Sequence, residues 1–142
     1  MSADLNQYLC FNFYRGWREI SSIYKEILGN DVSPQHFYIL QLCDLKEKVT
    51  MNELSKGLHL DGSAVSTLVS RMEKKQLIKR THGTKDRRNV FVQLTEKGDA
   101  LKTSLEPKIS LLAGTISKNI SAEDITKVQE VVSIISDNRA SL

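Results

Sequence analysis

Cysteine and proline occur twice each in this chain, tryptophan once and histidine three times. Cys10 and Cys43 form no C-x-x-C pair, and His36, His59 and His82 are scattered. Neither a disulfide framework nor a zinc site is expected, and nothing suggests a cofactor of any other kind. No apolar run approaches the ~18 residues that a membrane-spanning helix needs. The opening MSADLNQYLC has no basic segment, and no small-residue cleavage site follows it. Secretion is therefore not expected, and a reducing cytoplasm is the natural compartment. Internal repeats, linkers and low-complexity segments are absent as well. What is present is an ordinary globular balance of 40% apolar and 26% charged residues in 142. That is one domain's worth, able to bury roughly two-thirds of its unfolded surface.

Charge is unevenly spread. Residues 1–70 carry 6 Lys/Arg against 8 Asp/Glu, residues 71–102 carry 10 against 4, and residues 103–142 carry 4 against 5. The net +3 of the chain is thus a local excess of +6 on a nearly neutral body. A confined basic stretch is what a polyanion-binding surface requires, although a solvated charged face has the same composition.

Periodicity places the elements. Leu5, Leu9, Phe13, Trp17, Ile20, Ile23, Tyr24 and Ile27 recur at helical spacing, predicting a helix over Asp4–Leu28 that Gly29-Asn30 stops. Ser33-Pro34 reads as an N-cap and first helical residue for a helix carrying Phe37, Ile39, Leu40, Leu42 and Cys43. Thr50 and Glu53 fit a capping box for a short helix through Leu54–Lys56. After the turn Gly57-Leu58-His59-Leu60, Asp61 or Ser63 caps a helix to about Gln76. The period then falls to two over residues 77–81 and 89–94, two strands flanking the polar loop 82–88. Thr95 caps a helix to about Asn119, with a bend or step expected at Pro107. Ser121 opens a last helix with Ile125, Val128, Val131, Val132 and Ile135 on one side. The fold class expected is mainly α with a small β-hairpin (α+β).

A short helix, a tight turn, a second helix and a basic hairpin is the order of a winged helix-turn-helix. In the second helix Val65, Leu68, Val69 and Met72 form one apolar face, with Leu68 and Met72 expected to be buried. The other face presents Ser63, Ala64, Ser66, Thr67, Ser70, Arg71 and Lys74. Small hydroxyl residues let a helix sit deep in the major groove, and the cations add phosphate contacts. The free amides at this helix's N-terminus would also favour a phosphate. At the hairpin tip, Lys85, Arg87 and Arg88 suit the negative potential of a narrow minor groove. Asp86 among them is expected to orient a guanidinium rather than face DNA.

The run Asp86-Arg87-Arg88-Asn89-Val90-Phe91-Val92-Gln93-Leu94-Thr95-Glu96-Lys97-Gly98 resembles the wing signature of the MarR family of bacterial transcription regulators. Residues 65–73 through Leu77-Ile78 are similar to that family's recognition helix and first wing strand, and the likeness extends over nearly the whole chain. The resemblance implies a homodimer that binds a pseudo-palindromic operator on double-stranded DNA. It also implies one domain over residues 1–142, with a DNA-binding lobe at about 33–95 and dimerisation helices at about 4–30 and 96–140.

Within that family, Cys10 with Tyr14 and Tyr24 is similar in spacing to the OhrR-type sensors of organic hydroperoxides. There a reactive cysteine in the first helix is followed by tyrosines four and fourteen residues on. The resemblance implies a redox-sensing Cys10 with Tyr14 and Tyr24 as hydrogen-bonding partners. A small thiol or the oxidant itself would act at the sulfur. The thiolate is the attacking species and a sulfenic acid the first product. Against this stands the plain reading of Cys10 as a small buried hydrophobe. Cys43, on an apolar face without partners, is expected in the core. Tyr14 is one turn from Cys10, whereas Tyr24 is roughly 21 Å along the helix, so it can serve only the partner subunit's thiol. A two-fold axis pairing residue 10 with residue 24 then passes near Trp17.

Three other readings share this scaffold. One is a MarR-like regulator controlled by a small phenolic or aromatic ligand. Another is a thiol peroxidase using Cys10, for which no resolving cysteine is evident. The last is a protein-interaction module, which the arginine-bearing wing disfavours. No enzymatic activity is expected.

Overall fold

Local caps decide where most of the helices begin. In the computed structural model, which describes residues 2–142, Ser33 accepts from the His36 amide at 3.2 Å and starts α2, Pro34–Leu42. Thr50 and Glu53 cap each other's backbone amides at 3.0 and 3.1 Å and start α3, Met51–Leu58. Asp61, of the two candidates, caps α4, Gly62–Lys74, by accepting from Ala64 N at 2.8 Å. Thr95 and Ser121 cap α5, Glu96–Ser117, and α6, Ala122–Ala140. In each case a side-chain oxygen takes one of the amides that the first turn leaves unpaired.

The first helix departs from expectation. A 3-10 turn over Leu5–Gln7, capped by Asp4, precedes α1, Leu9–Leu28, and extended backbone at Tyr8 separates the two. Asn12 fastens this break by donating to the carbonyls of Asn6 and Tyr8 at 2.7 and 2.9 Å. At the other end of the domain α5 runs unbroken through Pro107, so the step expected there is absent. α4 stops at Lys74 rather than Gln76. Gln76 turns left-handed at φ 61°, and Leu77 N donates to Met72 O, closing the helix in a Schellman-type arrangement.

The first hairpin strand forms one residue later than its pattern suggests, as β2, Ile78–His82, while the second, β3, Val90–Leu94, omits only Asn89, with Ile78 opposite Leu94 and His82 opposite Val90. A third strand joins it. β1, Val49–Thr50, pairs antiparallel with β3 just before α3, so the sheet order is β1-β3-β2. Two residues are too short to display a period, and the sequence pattern does not reveal them.

The core gathers Ile39 and Leu40 of α2, Leu54 of α3, Val65, Val69 and Met72 of α4, and Val92 and Leu94 of β3. Tyr24 and Leu28 of α1 and Leu105 and Leu112 of α5 close it from the other side. α6 has no buried residue.

The junction of α4, β2 and α5 explains the end of the wing motif. Thr95 Oγ1 accepts from Gly98 N at 3.0 Å and donates to Gln76 O at 2.6 Å. Lys97 Nζ donates to Lys75 O at 3.0 Å. A Cβ on Gly98 would lie 2.0 Å from the carbonyl oxygen of Leu77. This backbone-to-backbone approach leaves no flexible atom to move aside. Gly98→Ala is therefore expected to destabilise the fold by about 1–3 kcal/mol, as an overpacked core position does. Thermal unfolding measures this, with Gly114→Ala, inside the same helix, where a Cβ meets nothing within 4 Å, as the control expected to keep or slightly raise the wild-type midpoint.

Candidate nucleic-acid interface

Six of the seven positions read from α4 come together. Ser63, Ser66, Thr67, Ser70, Arg71 and Lys74 line one open groove of about 440 Å³ along the helix. Ala64 lies beside them, half-buried. Met72 is fully buried as expected, but Leu68 is only half-buried, because it sits at the margin of the face formed by Val65, Val69 and Met72. The helix N-terminus is also less open to a phosphate than its sequence suggests. The carboxylate of Asp61 already holds the Ala64 amide and places a negative charge at that end.

Two hydroxyls in the groove are engaged by a residue that sequence reasoning missed. Arg80, on β2, reaches across to α4. Its Nη2 donates to Ser66 O at 2.7 Å and to Ser70 Oγ at 2.6 Å, and its Nη1 to Ser66 Oγ at 3.3 Å. Its Nε lies 2.9 Å from a carboxylate oxygen of Glu73, an ion pair whose angle falls outside hydrogen-bond geometry. Thr67 behaves differently, donating its own hydroxyl back to Ser63 O at 3.1 Å. The only sequence signal for Arg80 was its place in the basic stretch, since its partners lie 10 and 14 residues away.

The wing tip is held by its backbone. Gly83 N donates to Asn89 O and Asn89 N to Asp86 O, and a Cβ on Gly83 would meet Asp86 O at 2.5 Å. Asp86 grips Arg88 through its two carboxylate oxygens, at 3.1 Å to Nε and 3.2 Å to Nη2, and accepts from the Arg88 amide at 2.9 Å. These bonds hold the Asp86 carboxyl below its ordinary range, the guanidinium first and the amide second. Asp86 thus orients Arg88, whose side chain projects at 91% exposure. Lys85 and Arg87 are exposed beside it.

The thiol constellation is not assembled within one chain: neither Tyr14 nor Tyr24 meets Cys10. Cys10 is exposed, and so is Tyr14, but the Tyr14 ring lies under the Arg18 guanidinium at 5.7 Å and makes no hydrogen bond to the sulfur among the described residues. Tyr24 is buried against the rings of Phe37 and Tyr38, at 5.6 and 6.3 Å. Burial and Tyr38 push its phenol well above the ordinary value, which keeps it protonated. Trp17 is 42% exposed on the same stripe of α1. Cys10 itself lines an apolar cleft of about 630 Å³ between α1 and α6, with Leu9, Phe13, Val132, Ile135 and Ser136. Cys43 lies in the core as expected, where burial pushes its thiol up to about 11 against a smaller opposing effect of Lys102.

Helix, turn, helix, sheet and basic hairpin make this a winged helix-turn-helix protein. A sequence profile of the MarR family matches residues 32–90. The transcriptional regulator SarZ of Staphylococcus aureus is 33% identical over 105 residues, 73% of this chain and 71% of that protein. The chain belongs to the MarR family and is a transcription regulator, not an enzyme. Solved structures share the fold at lower identity. The PcaV regulator of Streptomyces coelicolor, in complex with its natural ligand, superposes with a TM-score of 0.80 at 14% identity, covering 96% of this chain and 97% of that one. A mutant MarR of E. coli complexed with operator DNA gives 0.73 at 21%, covering 94% and 99%. Among the described residues no helix is long and apolar enough to cross a membrane, and no cluster of metal-ligating side chains occurs.

The two cysteines should separate cleanly under alkylation. At pH 8 the native protein is expected to take one iodoacetamide per chain, at Cys10, and a second only after unfolding. Intact-mass spectrometry with peptide mapping checks this, and rapid native labelling of Cys43 would contradict its placement.

Proposed function

We propose that the protein is a homodimeric regulator acting in the cytoplasm on a pseudo-palindromic DNA operator, its affinity set by oxidation of Cys10. The groove on α4 carries this reading: hydroxyls and cations line it, with no carboxylate among them. α4 enters the major groove, while Lys85, Arg87 and Arg88 follow the backbone into the minor groove. Dimerisation uses α1, α5 and α6. Leu9, Phe13, Tyr14 and Trp17 on α1 and Ile125, Val128, Val132, Ile134 and Ile135 on α6 are exposed in the single chain. So much uncovered apolar surface on two neighbouring helices calls for a second copy.

At Cys10 the thiolate attacks the O–O bond of a hydroperoxide. The sulfur gains one oxygen, and the rest leaves as an alcohol after taking up a proton. A small thiol then displaces water from the sulfenic acid to form a mixed disulfide. Either product puts a polar group into an apolar cleft shared by α1 and α6, and relief of that cost shifts the helices that carry the DNA-binding lobes. The same cleft, with its mainly hydrocarbon lining, also suits a small aromatic ligand, which is the second reading.

Three measurements test the proposal. Arg88→Ala should weaken binding to a selected duplex by about 1–3 kcal/mol, Lys85→Ala by less, and unchanged affinity and salt slope for Arg88→Ala would take the wing out of the interface. Cumene hydroperoxide with a small thiol should lower wild-type affinity while leaving Cys10→Ser unaffected. An equal response from both proteins would reject the redox reading, and a response of both to a phenolic acid would favour the aromatic one. In sedimentation, Val132→Asp with Ile135→Asp should convert a dimer to monomer, and an unchanged mass would reject the α6 interface.

A further inference from the structure

The hydroxyls of Ser66 and Ser70 are not free rotors. Each accepts a hydrogen bond from the Arg80 guanidinium, at 3.3 and 2.6 Å, and neither has another protein partner among the described residues. A hydroxyl carries one hydrogen, and a cation on its oxygen turns that hydrogen away and makes it a stronger donor. The same positive charge repels any second donor that approaches the oxygen. Thr67, between them in sequence, has the opposite polarity: its hydrogen is committed to Ser63 O, leaving the oxygen as an acceptor. Glu73, 2.9 Å from Arg80 Nε, balances part of the guanidinium charge and helps hold it in place.

We propose that Arg80 is a positioning residue that sets the polarity of α4, making Ser66 and Ser70 donors toward DNA while Thr67 remains an acceptor. The proposal rests on the reading of α4 as the major-groove helix. Its consequence is a restriction on sequence. Positions facing Ser66 and Ser70 must present acceptors, such as guanine O6 and N7, thymine O4, adenine N7 or a phosphate oxygen. The position facing Thr67 must offer an amino group or a methyl.

The test uses the full-length protein and a pool of duplexes with a randomised core of about 20 base pairs, room for two half-sites one turn apart. Wild-type protein should select a defined site, and at the positions facing Ser66 and Ser70 removal of an acceptor, for example by 7-deazaguanine, should cost about tenfold in affinity. Arg80→Met should flatten the preference at those positions and leave the one facing Thr67 unchanged. Arg80→Lys, which keeps the charge but cannot bridge both hydroxyls, should retain part of it. Ser66→Ala with Ser70→Ala leaves Arg80 in place and should flatten the same positions, giving the test a second route should Arg80→Met fail to fold. A uniform loss of affinity in Arg80→Met with every base preference intact would overturn the proposal, because a purely structural arginine would behave that way. So would undiminished selectivity in the double serine variant. Wild-type protein without salt-dependent duplex binding would instead overturn the DNA reading itself, an outcome distinct from the other two.

Discussion

The close passage of α5 over the carbonyl of Leu77 is the constraint on which the remaining geometry depends. It forces a residue without a Cβ at Gly98, seats the first turn of α5 against the end of α4, and starts β2 from the same point. Thr95 and Lys97 then tie α5 to the carbonyls of Gln76 and Lys75. The second half of the motif that runs from Asp86 to Gly98 is therefore architectural: it joins the winged helix-turn-helix to the long helix behind it. At this junction backbone touches backbone, with no pliable side chain between α5 and the end of α4.

A second tie runs between the wing and α4 through Arg80. Its guanidinium spans a backbone carbonyl, two hydroxyls and a carboxylate, so strand and helix present themselves to a ligand as one body. At the tip Asp86 restrains Arg88 in the same manner. Glu73 and Asp86, two of the four carboxylates in residues 71–102, are thus occupied with arginines, which limits their repulsion of an approaching phosphate and fixes arginines that would otherwise lose rotamer freedom on binding.

On the opposite side the balance is apolar. The stripe on α1 is covered at its C-terminal end, where Tyr24 and Leu28 join the core, and bare at its N-terminal end, where Leu9, Cys10, Phe13 and Trp17 are exposed. α6 buries nothing of its own. Cys10 therefore sits in an open hydrocarbon cleft, where a polar group on its sulfur would be costly.

Residues that act within three or four positions of one another were legible in the sequence. Ser33, Thr50 with Glu53, Thr95 and Ser121 each satisfy amides of their own first turn, and the i, i+4 and i+7 residues Val65, Val69 and Met72 point to one core because helical geometry leaves no other choice. The basic tip and the hydroxyl-rich face of α4 were legible for the same reason, as was the likeness of the wing motif. Only the tertiary structure decided what depends on distant partners. Val49 and Thr50 become a strand because β3 runs alongside them, and Gly98 is required because Leu77, 21 residues earlier, crosses it. Arg80 acquires its role from Ser66 and Ser70 on another element. Tyr14 turns toward Arg18, and Tyr24 sinks among the rings of α2, though both share a helical stripe with Cys10. Spacing along a helix fixes which side chains can meet, but the packing around them selects which ones do.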